Sequence, residues 1–373
     1  MWHAPGKGTS VFRRKVRVRI WNFDAVDDFD LLVNSAGSSR PRFLRFFYAS
    51  RGLPLGNQRA TSDLKPRRGE DMDIRNVMVP IDFSQPSRMA LDYGVDLARV
   101  LRARLTLVHV MEPQPVLEVA TAGEIARMEL ERREAAFRQL EDLVAPEDED
   151  DLDLRVVLKS GNAKKEIAAA VEEQHVDIVV LGTHGRGRLG RFILGSTTEG
   201  LLRKLHVPVM TVSHVMSPGS FKRILFATDL SDSSHTAFTF ALDMARKLRG
   251  DVLALHVMGG PMLAAAELGM PTELNESALE EVRRRLRELA IEGKAQGVVV
   301  QTSIADGTAA MQILHAANEN QADLILLAIE SKGLIERTLL GTTAERVVRE
   351  ADIPVLSFPV SVDALREKAE KAS

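Results

Sequence analysis

The stretch from residue 181 to residue 198 holds the side chains of this chain that are best suited to bind an anion. An apolar run precedes it and is typical of a buried parallel strand, and a helical pattern follows it. Glycines between a strand and a helix let the backbone approach a ligand, and free helix N–H groups carry positive partial charge. Between the outer glycines lie four basic side chains and no acidic one: His184, Arg186, Arg188 and Arg191. The stretch predicts a phosphate-binding loop, with the hydroxyls of Ser196, Thr197 and Thr198 as further donors.

The elements that would position this loop belong to a repeat that begins at Met72. Three pairs of segments align at an offset of 147 or 146: residues 75–84 with 222–231, 107–110 with 254–257, and 195–197 with 341–343. Matches in nearly constant register indicate tandem copies. The predicted regions are an N-terminal extension (1–71), a first copy (72–215), a second copy (221–360) and a C-terminal tail (361–373).

Each copy shows five strand patterns that alternate with four helix patterns. In the first copy the strands are predicted near residues 75–81, 104–110, 153–159, 176–182 and 207–213. Ser84 or Ser87 is expected to cap the first helix. Because alternation of this kind gives parallel strands and right-handed crossovers, the prediction is an α/β protein with two tandem doubly wound, Rossmann-like domains, each with a five-stranded parallel sheet. Ligands of such sheets lie beyond the carboxyl ends of the strands, where Asp82, Val110 and Gly182 would converge.

Composition limits the class of protein. A length of 373 residues suits two domains, and a hydrophobic content of 45% suffices for packed cores. Cysteine is absent, which excludes disulfides and thiolate ligands. No apolar run approaches the roughly 18 residues of a membrane span, and the N-terminus has no apolar leader segment. We therefore expect a cytoplasmic protein without a membrane partner.

Residues 1–71 differ from the remainder of the chain. They carry 14 Lys or Arg and 7 Asp or Glu, a net +7, whereas the remaining residues sum to −10. The acidic body argues against nucleic-acid binding by the globular part. We expect a poorly ordered basic extension that need not belong to the natural product, because Met72 can serve as a start; a basic arm for RNA or anionic lipid is the alternative.

Residues 185–190 spell G-x-G-x-x-G, which in other settings binds a dinucleotide. That fingerprint requires the helix to start within the motif, next to the first strand. Here the motif follows the fourth strand of its copy, and the helix is delayed to about Gly195. A nicotinamide or flavin dinucleotide is therefore disfavoured, and no P-loop or H-E-x-x-H motif is present.

Taken together, these motifs resemble the ATP-binding type of the universal stress protein family, in a tandem two-domain form. The resemblance covers about residues 72–360. It rests on five features: Gly182-x-x-Gly185, nine residues and then Gly195-Ser196; the opening Val79-Pro80-Ile81-Asp82-x-Ser84; the strand end His109-Val110; the last strand Val207-Pro208-Val209; and the tandem repeat.

The resemblance implies ATP, with Mg²⁺, as the ligand and assigns it to named positions. It places Pro80, Ile81, Asp82 and Val110 at the adenosine end of the site. It places Gly182, His184 and Gly185 near the ribose and the α-phosphate, and Gly195, Ser196 and Thr197 at the outer phosphates. Plainer roles remain open: Asp82 can cap a helix, Val110 can be core, His184 can be a surface histidine, and Gly195 can be a turn glycine. No catalytic residue and no metal-binding side chain is predicted.

The second copy departs from this pattern. Ala328 and Ser331 stand at the positions of Gly182 and Gly185, and its residues 329–340 balance two basic side chains with two acidic ones. The first copy carries three arginines and no acid over residues 183–194. We therefore expect one competent nucleotide site per chain, with the second copy mainly structural or differently selective.

The leading hypothesis is an ATP-binding stress-response protein that acts as a nucleotide-dependent sensor with little or no turnover, because no general base can be assigned. A slow ATP hydrolase on the same scaffold and a pure interaction module are the alternatives. In the module, the two copies would pair through their last strands. Linked copies can mimic the dimer that single-copy relatives are thought to form, and further homo-oligomer formation is possible.

Overall fold

The computed structural model describes residues 13–22, 25–34, 74–113, 121–143, 152–183, 194–213, 221–259, 272–331 and 341–361. The strands of these residues are β1 (Arg13–Asn22), β2 (Ala25–Asn34), β3 (Asn76–Pro80), β4 (Arg104–Met111), β5 (Leu154–Ser160), β6 (Ile178–Gly182), β7 (Val209–Val212), β8 (Arg223–Thr228), β9 (Asp251–Met258), β10 (Val300–Asp306), β11 (Leu324–Ser331) and β12 (Val355–Ser361). The helices are α1 (Gln85–Leu101), α2 (Ala122–Glu141), α3 (Ala163–Glu173), α4 (Ser196–Leu202), α5 (Asp232–Leu248), α6 (Thr272–Ala295), α7 (Ala309–Glu319) and α8 (Thr342–Glu350).

The two repeats have the same doubly wound topology. The strand order is β5-β4-β3-β6-β7 in the first repeat and β10-β9-β8-β11-β12 in the second, and all neighbours within a repeat are parallel. In each repeat the first strand therefore lies between the second and the fourth. This arrangement confirms the predicted fold class and creates a switch point beside β3 and another beside β8.

Local sequence explains where the first helix begins and ends. The side chain of Ser84 accepts a hydrogen bond from the backbone N–H of Ser87 over 3.3 Å, and Pro86 occupies the first turn, where no N–H is needed. The helix ends at Arg102, which has a φ of 53° in the left-handed region. Ser84 is thus the cap, one of the two serines that the sequence offered.

Two hydrophobic cores lie on opposite faces of the sheet, and each is continuous across both repeats. Leu97 and Leu140, from α1 and α2, share one core with Phe238 of α5. Leu201 of α4 shares the other with Val347 of α8. All five side chains are 0% exposed. Truncating a leucine of this kind to alanine typically costs about 2–5 kcal/mol of stability.

The repeats are joined through their last strands. β7 pairs antiparallel with β12, so the strands of the two repeats point in opposite directions. The hydroxyl of Thr211 donates to the carbonyl oxygen of Val355 over 3.2 Å, and the hydroxyl of Ser213 donates to that of Ala351 over 2.6 Å. The joint is therefore a continuous sheet reinforced by buried side-chain hydrogen bonds.

Strands β1 and β2 add a hairpin to the outer edge of the first repeat. They pair antiparallel with each other, and β1 pairs parallel with β5. The basic run at residues 13–19 lies within β1. The other residues of 1–71, the acidic run 147–151 and the helix expected in residues 362–371 lie outside the described residues. Within the described part of the chain, no helix has the length and apolar character needed to cross a bilayer.

Candidate functional site

Three strand ends of the first repeat meet at its carboxyl edge. β3 ends at Pro80 between β6, which ends at Gly182, and β4. Ile81 continues the pairing for one more residue, because its N–H donates to the carbonyl oxygen of Val108 over 2.7 Å. The predicted switch point therefore lies between Ile81 and Gly182.

A tight turn leads from β3 into α1. Phe83 has a φ of 64°, in the left-handed region, which is unusual for a residue with a side chain. The carboxylate oxygen Oδ1 of Asp82 accepts the backbone N–H of Ser84 over 3.0 Å and its hydroxyl over 2.5 Å. Asp82 thus stabilises the turn while its side chain remains exposed at the edge of the sheet.

Hydrogen bonding keeps the carboxylate of Asp82 ionised. Partial burial by itself raises the pKa of Asp82, but hydrogen bonds from the hydroxyls of Ser84 and Ser87 and from the backbone together outweigh it. The net pKa lies below the ordinary value of 3.8. Asp82 is therefore a hydrogen-bond acceptor at neutral pH, suited to the hydroxyl or amino groups of a ligand.

His109 connects the ends of β3 and β4. Its Nδ1 lies 2.7 Å from the carbonyl oxygen of Ile81, so Nδ1 is the donor, and its ring packs on Phe83 with centroids 4.6 Å apart. Burial lowers the pKa of His109 below 6.5 and Arg132 acts in the same sense, while the Ile81 carbonyl and Asp82 raise it by less. His109 is thus a strand-end residue with a hydrogen-bond partner of its own. Val110, next along β4, is half-buried against the core.

Gly182 is needed for packing in this fold. A Cβ at this position would overlap the carbonyl group of Pro86, in the first turn of α1. The carbonyl oxygen of Gly182 accepts a hydrogen bond from the hydroxyl of Thr198, in α4, over 3.0 Å. The prediction that Thr198 donates to a phosphate is therefore wrong for this conformation, because its hydroxyl fastens α4 to β6.

The start of α4 presents the groups expected of an anion site. Gly195 is the N-cap residue, and no side chain caps the helix. The first N–H groups of a helix have no partner within it. Ser196 has an exposed side chain and Thr197 a half-buried one, so both hydroxyls are accessible. Gly195 has a φ of −60° and a ψ of 141°, values that any residue can adopt.

The structure thus brings eight of the ten predicted site residues to one edge of the first repeat: Pro80, Ile81, Asp82, Val110, Gly182, Gly195, Ser196 and Thr197. The other two, His184 and Gly185, lie outside the described residues. Sequence reasoning missed the Thr198 contact and the packing role of Pro86. The residue types give no signal for the first, because the acceptor is a backbone carbonyl, which every residue type provides.

The second repeat contains a cavity of about 480 Å³ at the equivalent edge. Asp229 and His256 line it at the positions of Asp82 and His109, and Gly341 lines it at the position of Gly195. Oδ1 of Asp229 accepts the hydroxyl of Ser231 over 2.6 Å, so the turn is the same as in the first repeat. The volume falls within the range of about 300–1,000 Å³ of small-molecule sites.

Comparison with known proteins decides the family. The family model described as "Universal stress protein family" matches residues 73–213 and again residues 220–359. The chain belongs to the universal stress protein family. The two matches confirm the tandem form inferred from the repeat.

Similar proteins support both the family and the tandem arrangement. A universal stress protein of Mycolicibacterium smegmatis is 28% identical over 290 residues, which are 75% of this chain and 95% of that protein. One from Methanocaldococcus jannaschii is 32% identical over 141 residues, 36% of this chain and 81% of that protein. The crystal structure of a universal stress protein from Archaeoglobus fulgidus has a TM-score of 0.58 at 24% identity and covers 76% of this chain and 97% of its own. This last likeness establishes the fold alone.

Proposed function

We propose that the first repeat binds an adenine nucleotide, ATP with Mg²⁺, and that the chain acts as a nucleotide-dependent regulator in a stress response, with little or no turnover. The observation that carries this proposal is the meeting of the ends of β3, β4 and β6 with the uncapped start of α4 at one switch point. The segment that connects β6 to α4 carries three arginines and no acid over residues 183–194.

The adenosine would lie against the ends of β3 and β4. Val110 would provide partly exposed apolar surface for a flat base, whereas the side chain of Ile81 is buried in the core. The ionised carboxylate of Asp82 would accept hydrogen bonds from ligand N–H or O–H groups. With the adenosine in this position, the phosphates would lie at the backbone N–H groups of Ser196 and Thr197, where the helix dipole favours negative charge.

Mg²⁺ would be held mainly by the phosphates and water. In the described part of the chain, no group of three or more His, Asp or Glu side chains is placed to ligate a metal. Mg²⁺ commonly keeps several waters and binds through substrate phosphates, which fits a site of this kind. The hydroxyls of Ser196 and Thr197 can supply further oxygen contacts.

Gly195→Val tests the phosphate site. Because the φ and ψ of Gly195 suit valine, the variant adds bulk at the start of α4 without backbone strain. We expect wild-type protein to bind one ATP per chain in native mass spectrometry with Mg²⁺, and the variant to lose at least about tenfold in affinity, or about 1.4 kcal/mol. Gly123→Val is a matched control, because an added Cβ at Gly123 in α2 contacts nothing.

An unchanged ATP affinity in Gly195→Val would contradict the proposed site. The absence of any bound nucleotide in wild-type protein would instead favour an interaction module. Following ADP release from the same samples separates a regulator from a hydrolase, since sustained turnover would favour the hydrolase.

A further inference from the structure

β10 forms an open edge of the continuous sheet. In the strand order of the described residues β10 stands at one end, and it pairs with β9 on one side only. All its residues, Val300–Asp306, are in register with β9. Its other side presents backbone N–H and C=O groups that no described strand pairs with. Such a row of groups is a template for a further strand.

Two hydrogen bonds at the ends of β10 identify the groups that point outward. The carbonyl oxygen of Val299 accepts the N–H of Val252 over 2.9 Å, and the N–H of Gly307 donates to the carbonyl oxygen of Met258 over 3.2 Å. Both residues thus direct these groups toward β9, and because that direction alternates along a strand, every second residue between them does the same. The residues whose backbone groups point outward are Val300, Thr302, Ile304 and Asp306.

The sequence of β10 does not guard this edge. Proteins commonly protect an edge strand with lysine, proline or other charged residues. β10 reads VQTSIAD, with no proline or basic residue and with its one charged residue in the last position. By contrast β2, at the other end of the sheet, contains three aspartates. Gln301 and Thr302 are exposed, and Val299, directly before the strand, is 65% exposed.

The first repeat shows that this edge of the fold can take an added strand. β5 is the counterpart of β10, and β1 pairs with it in parallel. The β5 residues in that pairing, 155–158, correspond to residues 301–304 of β10 at the offset of 146. The helices beside β5 leave room for β1, and α6 and α7 are their counterparts in the second repeat.

We propose that β10 is the interface of a twofold-symmetric dimer, in which the strands of two copies of this chain pair antiparallel about an axis at Ser303. This register places Thr302 of one copy opposite Ile304 of the other. It also places Val300 opposite Asp306. Every outward backbone group of both strands then has a partner, which is the fullest pairing that this edge allows.

A second copy suits this edge because the edge is complementary to itself. The two Asp306 carboxylates lie at opposite ends of the interface, so no like charges face each other. The exposed Val299 of each copy lies beside Gly307 of the other, which has no side chain to oppose it. Since each chain has one β10, the contact is isologous and closes after two copies.

Thr302→Pro tests the interface and leaves the sheet of each copy intact. The N–H of Thr302 points away from β9, so proline removes a bond to the second copy and none to β9. We expect the full chain to dimerise in sedimentation velocity at micromolar concentration, and the variant to weaken the dimer at least about tenfold. Thr302→Val, which keeps the N–H at the same exposed position, is the matched control and should dimerise as the wild-type protein does.

A single introduced thiol reports the register, because the chain contains no cysteine. Ser303→Cys lies opposite its own copy in a non-hydrogen-bonded pair, where Cα atoms are about 4.5 Å apart and a disulfide can form. We expect mild oxidation to give a covalent dimer. Gln301→Cys is the control, since it is more exposed but lies four residues, or about 14 Å, from its symmetry mate, and it should not cross-link.

Three outcomes would overturn this inference. A full chain that stays monomeric, with no cross-link through Ser303→Cys, would show that the edge does not pair. A dimer that Thr302→Pro leaves unchanged would place the contact on another surface. Cross-linking through Gln301→Cys in preference to Ser303→Cys would exclude the twofold pairing. None of these results depends on ATP, so the proposed function of the first repeat stands or falls separately.

Discussion

At the scale of single residues, the histidine at the end of the second strand of each repeat serves as a connector. His109 is held by the carbonyl oxygen of Ile81 at 2.7 Å, and His256 by that of Thr228 at 2.9 Å. Each bond joins the end of one strand to the end of its neighbour at the carboxyl edge of the sheet. Because Nδ1 donates in this contact, the neutral imidazole has its lone pair on Nε2.

His109 makes the stability of the protein depend on pH. Its pKa is lowered in the folded state, so the unfolded chain takes up the proton first, and the free energy of unfolding falls as the pH drops below about 6.5. The lowered pKa of Asp82 adds a loss only below about 3.8. We expect His109→Asn to flatten the pH dependence just below about pH 6.5, measured by urea denaturation.

The control for this prediction is His315→Asn, because His315 is an exposed residue of α7 that pairs with Glu319 in its own helix. The two variants should differ in the slope of unfolding free energy against pH. Equal slopes for His109→Asn and wild-type protein would show that the half-buried imidazole of His109 does not control the pH dependence of stability.

The residue scale also shows where sequence reasoning reached its limit. The type of Asp82 and its place after a strand predicted an accessible carboxylate, and the structure has one. The hydroxyl of Thr198 was expected to face a ligand, but a helical pattern cannot show that the carbonyl of Gly182, 16 positions earlier, is the acceptor. Such a contact depends on the distance between two elements, which spacing in the sequence does not contain.

At the scale of elements, the close packing of β6 against α1 depends on a glycine, which has no side chain. Gly182 has no room for a Cβ beside the carbonyl group of Pro86. In the second repeat Ala328 stands at the position of Gly182, and Ser233 stands at the position of Pro86. The second repeat therefore carries a Cβ where the first repeat has none.

Gly182→Ala tests this packing. We expect the variant to lose about 1–3 kcal/mol of stability, because the added methyl forces β6 and α1 apart, and thermal or urea denaturation measures the loss. Gly123→Ala, in open space on α2, is the control and should not destabilise the protein. A loss no larger than that of the control would mean that the two elements separate at little cost.

Most elements of both repeats could be predicted, because buried parallel strands are continuous apolar runs. β6 and β11 are examples, and each begins within two residues of its predicted place or of the repeat-equivalent place. β2 could not be predicted, since its sequence AVDDFDLLVN has neither a continuous apolar run nor strict alternation. It follows β1 after only two residues, Phe23 and Asp24, whose types do not form a common hairpin motif.

At the scale of the whole molecule, the strands of the two repeats form one continuous sheet. Arg203 of α4 lies 4.0 Å from Glu345 of α8, and the rings of Tyr93 and Phe221 lie 6.0 Å apart, so contacts accompany the β7–β12 pair on both faces. Sequence periodicity revealed the two copies. The expected pairing through their last strands is present in the structure.

A fragment of residues 74–213 tests the importance of this joint. Cut at that point, the first repeat exposes the edge of β7 that β12 covers in the full chain. We expect the fragment to dimerise through β7 in sedimentation experiments, because an exposed strand edge seeks a partner. Thr211→Lys in the fragment should give monomers, since a lysine on an edge strand opposes pairing. A wild-type fragment that remains monomeric would show that the exposed edge of β7 does not by itself cause association.

The antiparallel joint has a geometrical consequence for how this protein can meet other molecules. Since β7 and β12 run in opposite directions, the carboxyl edges of the two repeats lie at opposite ends of the shared sheet. A molecule that binds over one carboxyl edge leaves the other facing solvent. A single chain can therefore present its two carboxyl edges to two different partners at the same time.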